Sequence, residues 1–440
     1  MSPRPRLLAL LAIVVLVCAG PAPLQAQLSY EVVDGLVRDT YTTIRDDALR
    51  PPDQFTLLHH TALAAQQALT SSGVSELPPL PILTGQEPQD LASTASYVQA
   101  AVAAVPPAGV RILADVLRAM VRTVSDPQAA IYAPLELTRY HRDLYGEHSG
   151  IGVQVDVIQG RIVMSDVTST GPAGRAGVQI GDTVVDLDGR AVVGNTPDQI
   201  MERLRGAPGT TLSLTLRRAD GTLVRLSLAR EASRENPTRW KMLAPRFGYL
   251  RLLEFPKGAS TDIDRALTGL KNAGAVALLL DLRKNGGGLF DEGIAVASAF
   301  LPDGMVAMEE HRGTLTPLDV LPNVRRFLGP IVVLVSGFTA SAAEIVAGAL
   351  QDNGVPLVGE KTFGKGTIQT IYTLRGGWGL RLTTSSYYTR SGRAIDGRGL
   401  QPDVRIPLNE DLVQSSQDVQ LQEATAVLQA RLASIPRVRP

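Results

Sequence analysis

The chain has 440 residues, 44% of them hydrophobic, which is enough for two or three domains with real cores. Its 43 basic and 43 acidic residues cancel, so there is no electrostatic case for a nucleic-acid partner. One cysteine and five histidines, with no His-Glu-x-x-His run, argue against disulfides, a thiol nucleophile and metal-assisted hydrolysis.

Residues 1–26 read as an export signal. Arg4 and Arg6 precede the apolar run Leu7–Ala19, and Leu24-Gln25-Ala26 offers a cleavage site. The run is short for a membrane-spanning helix, although an uncleaved anchor stays open. Cys18, the sole cysteine, lies inside it behind Val17 rather than a small residue, which argues against a lipoprotein. The mature chain would then be cysteine-free, with 43 − 2 = 41 basic against 43 acidic residues.

Residues 27–146 read as a helical region. Apolar residues recur at helical spacing through Tyr30–Ile44, Phe55–Leu69, Leu91–Val105 and Val110–Val124, with prolines at 51–52, 78–81 and 106–107 between them. His59 and His60 fall within one helix and read as surface. The stretch 50–108 suggests a packing or dimerisation element. From 147 to 235 the pattern changes to short strands. Val153, Val155 and Val157 alternate, a helix is expected near Pro197–Arg205, and Leu212–Arg218 and Leu223–Arg230 read as two strands around the Ala219-Asp220-Gly221 turn.

Residues 236–410 alternate strands and helices. After the strand Arg246–Phe255, the segment Ser260–Ala273 reads as a helix with Ile263, Ala266, Leu267 and Leu270 on one face. Residues 275–283 form an apolar buried strand, Lys284–Gly288 a glycine loop, and Asp291–Phe300 a helix. Next, Ile331–Ser336 reads as a strand, Gly337–Ala340 as a turn and Ser341–Gln351 as a helix, the layout of a nucleophile elbow. Lys365 in Phe-Gly-Lys-Gly and Gln369 follow, and a desolvated neutral lysine can accept a serine proton. Blander readings compete: Ser341 and Glu344 also make a capping box, and a lysine between glycines is commonly a solvated turn. Gly359–Thr367 nearly matches a phosphate-cradling loop. However, Gly366 stands where Ser or Thr is needed, and Thr367–Leu374 alternates like a strand, so nucleotide binding is set aside. In the tail, 411–440, a helix is expected over Asp411–Ser434. Its stripe Leu421, Ala424, Leu428 and Leu432 should pack on the core or on another subunit.

Ser341, Glu344, Gln351, Asp352 and Thr362–Gln369 together resemble the active-site text of the carboxyl-terminal processing peptidases, the tail-specific proteases. Leu117–Leu137 and Leu380–Val404 extend the likeness, and Ala176–Gly189 resembles a PDZ domain. The resemblance implies a multidomain α/β protein: a helical N-terminal region, a β-rich PDZ domain, a ClpP/crotonase-like α/β catalytic core and a C-terminal helix. It implies Ser341 as nucleophile, Lys365 as general base and Gln369 as the residue orienting the lysine. Phe363, Ile368 and Ile371 are the apolar groups expected to keep Lys365 uncharged. Asp352, sometimes given a relay role in the family, ranks lower, since an Asp at a helix end is commonly a cap. The N–H groups of Gly287 and Ala342 are expected in the oxyanion hole. By the PDZ analogy, Gly150, Ile151, Gly152 and Val153 form the loop that holds a peptide carboxylate. Two departures stand out: Gly286 replaces the family's proline, and the Ser-to-Lys interval is one residue short. The implied protein is an exported serine endopeptidase of a bacterial periplasm or envelope, without cofactor or metal. It would take proteins with free C-termini, with an adaptor or self-association through the terminal helical regions as further possibilities. The alternative is a catalytically idle PDZ scaffold that binds C-termini.

Overall fold

The computed structural model describes residues 29–145, 148–158, 160–233, 236–413, 415 and 417–434. Residues 1–26, expected to be an export signal, lie with Cys18 outside the described residues. Two compact units are present. One gathers the chain up to Asp46, then Pro52–Ser125 and Leu374–Gly376; the other gathers Asp47–Pro51, Asp126–Thr373 and the chain from Gly377 onward.

The first unit is helical: Tyr30–Asp47, Gln54–Ser71, Glu87–Ala104 and Gly109–Arg122. Leu57, Leu58, Ala65 and Leu69 are buried along the second helix, and Ile112, Leu113, Val116 and Leu117 along the fourth, at the i, i+3, i+4 spacing that makes one apolar face. The proline-rich link between the second and third helices is tied down by polar groups. The Asp90 carboxylate accepts the Thr84 and Gly85 N–H groups at 2.8 Å each, and Tyr97 Oη donates to Pro78 O at 3.0 Å.

Among the described residues the second unit holds four sheets, three of them with five or more strands. Residues 153–229 form an antiparallel sheet in the order Val153–Ile158, Arg161–Val167, Thr183–Leu187, Thr211–Arg217, Leu223–Ala229, so Val153–Ile158 is an edge strand. The helix Pro197–Leu204 lies along it, and Ile200 and Leu204 join Val153, Val155, Leu212 and Leu214 in the core.

Beyond Thr238 the main sheet runs Thr238–Ala244, Phe247–Leu252, Ala277–Asp281, Ile331–Val335, Leu357–Gly359, Val404–Arg405; the first pair is antiparallel and the rest parallel. Alternate residues face opposite sides, and both sides are covered. Leu250, Leu278, Leu280, Val333 and Val335 pack on the helices Ala259–Asn272, Phe290–Ser298 and Ala342–Asp352. On the other face Tyr249, Leu279, Val332, Leu334 and Val358 pack on Ala424 and Leu428 of the helix Val419–Ala433. Of the two partners expected for the C-terminal stripe, the core and another subunit, the structure gives the core: the stripe packs on its own sheet. A second, antiparallel sheet carries Met305–His311, Thr314–Asp319, Thr367–Thr373 and the long strand Gly379–Thr389.

Candidate active site

All five residues of the strand Ile331–Val335 are buried, as a central parallel strand requires. The turn after it is fastened to the neighbouring strand's exit: Thr339 Oγ1 donates to Leu282 O at 2.9 Å and accepts the Ser336 N–H at 2.9 Å, while Ala340 N–H donates to Asn285 O at 3.0 Å. The helix starts at Ala342, one residue after Ser341, which adopts φ 57° and ψ −122°. A non-glycine residue held there carries strain of about 1–3 kcal/mol, and strain of this kind marks the serine of a nucleophile elbow. Ser341 and Glu344 close this helix start on each other: the Glu344 N–H donates to Ser341 O at 2.8 Å and Glu344 Oε2 accepts the Ser341 N–H at 3.0 Å.

The glycine loop faces this serine. Gly287 sits at φ 99°, and a Cβ there would stand 2.7 Å from Ser341 Cβ, 2.8 Å from Ala340 O and 3.0 Å from Ala342 N. The two expected oxyanion donors are thus neighbours, but the Gly287 N–H is turned onto the buried Asn285 side chain, donating to Oδ1 at 2.9 Å. Asn285 Nδ2 in turn holds Leu252 O at 2.9 Å. Gly286, by contrast, faces open space, with nothing within 4 Å of a built Cβ, so no packing depends on the missing proline ring.

Lys365 is half-buried, and burial is the main cause that lowers its pKa below the ordinary amine value; the nearby positive Arg381 adds to this, and Asp126 opposes it. Among the described residues its side chain makes no hydrogen bond or ion pair, to Ser341 Oγ, to Gln369 or to any other group. Gln369 Nε2 donates to Thr367 Oγ1 at 3.0 Å and Thr383 Oγ1 at 3.3 Å, beside a bulge between Ile368 and Gln369. Phe363, expected to shield the lysine, is 66% exposed, while Ile368 and Ile371 are partly buried. Asp352 ends the same helix that follows Ser341, about 16 Å along the axis at 1.5 Å per residue. It accepts the Ser391 N–H at 2.8 Å and pairs with Arg393, a tie to the strand end.

Sequence reasoning overlooked two residues that join the serine and lysine segments. Glu344, fully buried, accepts the backbone N–H groups of Ser341, Gly364 and Lys365, and Tyr387 Oη bonds the carbonyls of Ser341 and Lys365. The signal for Glu344 was in hand, but as half of a capping box. No cluster of His, Cys, Asp and Glu fit to hold a metal occurs among the described residues.

A cleft opens beside the edge strand Val153–Ile158. Gly150, Ile151, Gly152 and Val153 line one wall, and Met201 and Leu204 of the helix Pro197–Leu204 line another. The loop is held from behind, with Ile151 O and Gly152 O accepting the Ala173 and Thr168 N–H groups at 2.9 Å each.

Residues 246–406 match the model of peptidase family S41, and residues 149–229 match that of the PDZ domain. The chain is 36% identical over 305 residues to a carboxy-terminal-processing protease of Bartonella bacilliformis, across 65% of this chain and 68% of that one. The chain belongs to the carboxy-terminal-processing proteases. A carboxyl-terminal-processing protease of Picosynechococcus is 33% identical over 319 residues, 70% of this chain and 77% of that one. A solved photosystem II D1 C-terminal processing protease superposes with a TM-score of 0.49 at 25% identity, covering 91% of this chain and 98% of that chain. By its two family matches and its described elements, this processing protease comprises a helical N-terminal region, a PDZ domain and an S41 peptidase core, and it is a peptidase.

Proposed function

We propose that the chain is an exported serine endopeptidase in which Ser341 is the nucleophile and Lys365 its base, and that its PDZ domain selects substrates by their C-terminal tails. One observation carries the reading: Ser341 is held at a strained elbow against the Gly287 loop, at the carboxyl end of a buried parallel strand. The neutral Lys365 amine, swung onto Ser341 Oγ, takes its proton as Oγ attacks a peptide carbonyl. The Ala342 N–H and the Gly287 N–H, the latter exchanging Asn285 Oδ1 for the oxyanion, hold the developing charge. Lys365 then returns the proton to the leaving amine, and water attacks the resulting ester to regenerate the serine. Gln369 orients the lysine in this state.

A peptide that adds to the free edge of Val153–Ile158 would run along the helix Pro197–Leu204 and bring its carboxylate to Gly150–Val153. The basic n-region and apolar run of residues 1–26 support export to a periplasm or envelope, where proteins with free C-termini are the substrates, with or without an adaptor. Because the C-terminal stripe is covered, self-association would fall to the N-terminal helices.

The test uses the chain without residues 1–26 and an unstructured protein substrate with a free or an amidated C-terminus. Ser341→Ala and Lys365→Ala should each lower turnover by at least about 10³-fold, and amidation should raise KM. Wild-type turnover by Lys365→Ala would overturn the base assignment, and equal KM for the two substrates would overturn tail selection. The unbridged Ser341 and Lys365 side chains favour a second reading, a PDZ scaffold without turnover, which predicts full tail binding and no fragments.

A further inference from the structure

Ser341 and Lys365 are carried by different segments, one opening a helix and the other a loop before a strand, and local sequence cannot set their separation. Two side-chain atoms touch both backbones, one on the N–H side and one on the carbonyl side. Glu344 Oε2 accepts the Ser341 N–H at 3.0 Å and the Lys365 N–H at 2.8 Å. The second oxygen, Oε1, accepts the Gly364 N–H at 2.8 Å and the Thr362 hydroxyl. On the carbonyl side, the hydroxyl of Tyr387, a residue 2% exposed, shares its one proton between Ser341 O at 3.0 Å and Lys365 O. Glu344 lies within the first turn of the helix Ala342–Asp352, so its carboxylate is fixed to the serine by rigid backbone.

We infer that Glu344, seconded by Tyr387, is the positioning residue that sets the distance between the nucleophile and the base. This rests on the proposal that Ser341 and Lys365 act as a pair. An ionised carboxylate offers about four acceptor sites, and here each of four donors takes one. Burial is the largest influence and holds the Glu344 pKa above the ordinary carboxylate value, with the four donors pulling it part of the way back. The backbone N–H groups of Ser341, Gly364 and Lys365 can only donate, so the arrangement favours the ionised form against the pull of burial. A glutamine keeps the shape but turns an NH₂ toward at least one backbone N–H, which can only donate. The Thr362 hydroxyl, which accepts the Leu400 N–H at 2.7 Å, keeps a second lone pair and could turn, but the Gly364 N–H on the same oxygen can only donate. An aspartate keeps the charge but is a methylene too short to reach both segments.

The experiment compares Glu344→Gln, Glu344→Asp, Tyr387→Phe and Lys365→Ala with the parent chain lacking residues 1–26. It measures kcat and KM on a quenched-fluorescence peptide with a free C-terminus, and amide hydrogen exchange across 362–366. Both Glu344 variants should lose about 10²-fold in kcat, the scale of an ångström of misplacement. KM should stay within about twofold, because uniform binding is untouched, and exchange at 362–366 should rise. Tyr387→Phe should show the same signature, smaller. Full activity in Glu344→Asp would mean that charge alone matters, and would overturn the inference. So would an inactive Lys365→Ala alongside Glu344→Gln with parental kcat. An active Lys365→Ala would instead overturn the pairing beneath it. Should the Glu344 variants lose their circular dichroism, Tyr387→Phe decides, with parental kcat and exchange counting against the proposal.

Discussion

At the scale of single residues, the proposed chemistry turns on one amine and one backbone angle. The pKa of Lys365 is depressed, first by burial and then by the positive Arg381, with Asp126 acting against them. If the neutral amine is the working form, kcat/KM falls as pH drops through that pKa and levels off above it. Arg381→Gln removes a charge that repels the proton, so the acid limb should move to higher pH; Asp126→Asn should move it to lower pH. A pH–rate profile of each variant checks this, and two unmoved limbs would assign the limb to another group. Arg381 also stacks its guanidinium over Tyr132 and Tyr140, at 5.7 and 5.2 Å, so its substitution should be accompanied by a stability measurement. Ser341 pays for its placement in backbone strain. Ser341→Gly, free to adopt φ 57°, should therefore raise unfolding free energy by about 1 kcal/mol in a urea titration while activity is lost.

At the scale of elements, the elbow and the glycine loop form one fitted pair. Thr339, Ala340 and Asn285 lock the two strand exits together, and Gly287 fills the seam, where a side chain has no room. Gly287→Ala should cost about 2–3 kcal/mol in chemical denaturation and abolish turnover, since its Cβ would strike Ser341 and Ala340. Gly286→Ala, one residue earlier and facing open space, should change stability by under about 0.5 kcal/mol. The strand-turn-helix order was legible because a run of apolar β-branched residues, a turn and an alanine-rich helix are contiguous signals. The strand Gly379–Thr389, which brings Tyr387 and Thr383 to the site, was recognised only as family-like text; its mixed threonines, serines and tyrosines give no clean apolar alternation, although it packs between other strands.

At the scale of the whole molecule, a buried charge cluster ties the C-terminal helix to the peptidase sheet. Arg283, fully buried, donates to Asp281 at 2.7 Å and to Asp418 at 2.9 Å and reaches Gln420 at 3.1 Å, and Tyr249 Oη donates to Asp281 at 2.6 Å. Asp418 also caps the helix Val419–Ala433 through the Leu421 N–H. Arg283→Met would leave two buried carboxylates without their cation and should cost about 3–5 kcal/mol, with early amide exchange in the C-terminal helix. The family, the helical region, the PDZ strands and the elbow could be read from the sequence alone, because periodicity and short motifs are properties of neighbouring residues. Only the tertiary structure decided that Glu344 bridges two segments, that Gln369 turns to Thr367 and Thr383, that the Gly287 N–H meets Asn285 and that the C-terminal stripe covers its own sheet. Each of these depends on the register between stretches far apart in the chain. That register is set by side chains packing in three dimensions, and no local pattern encodes it.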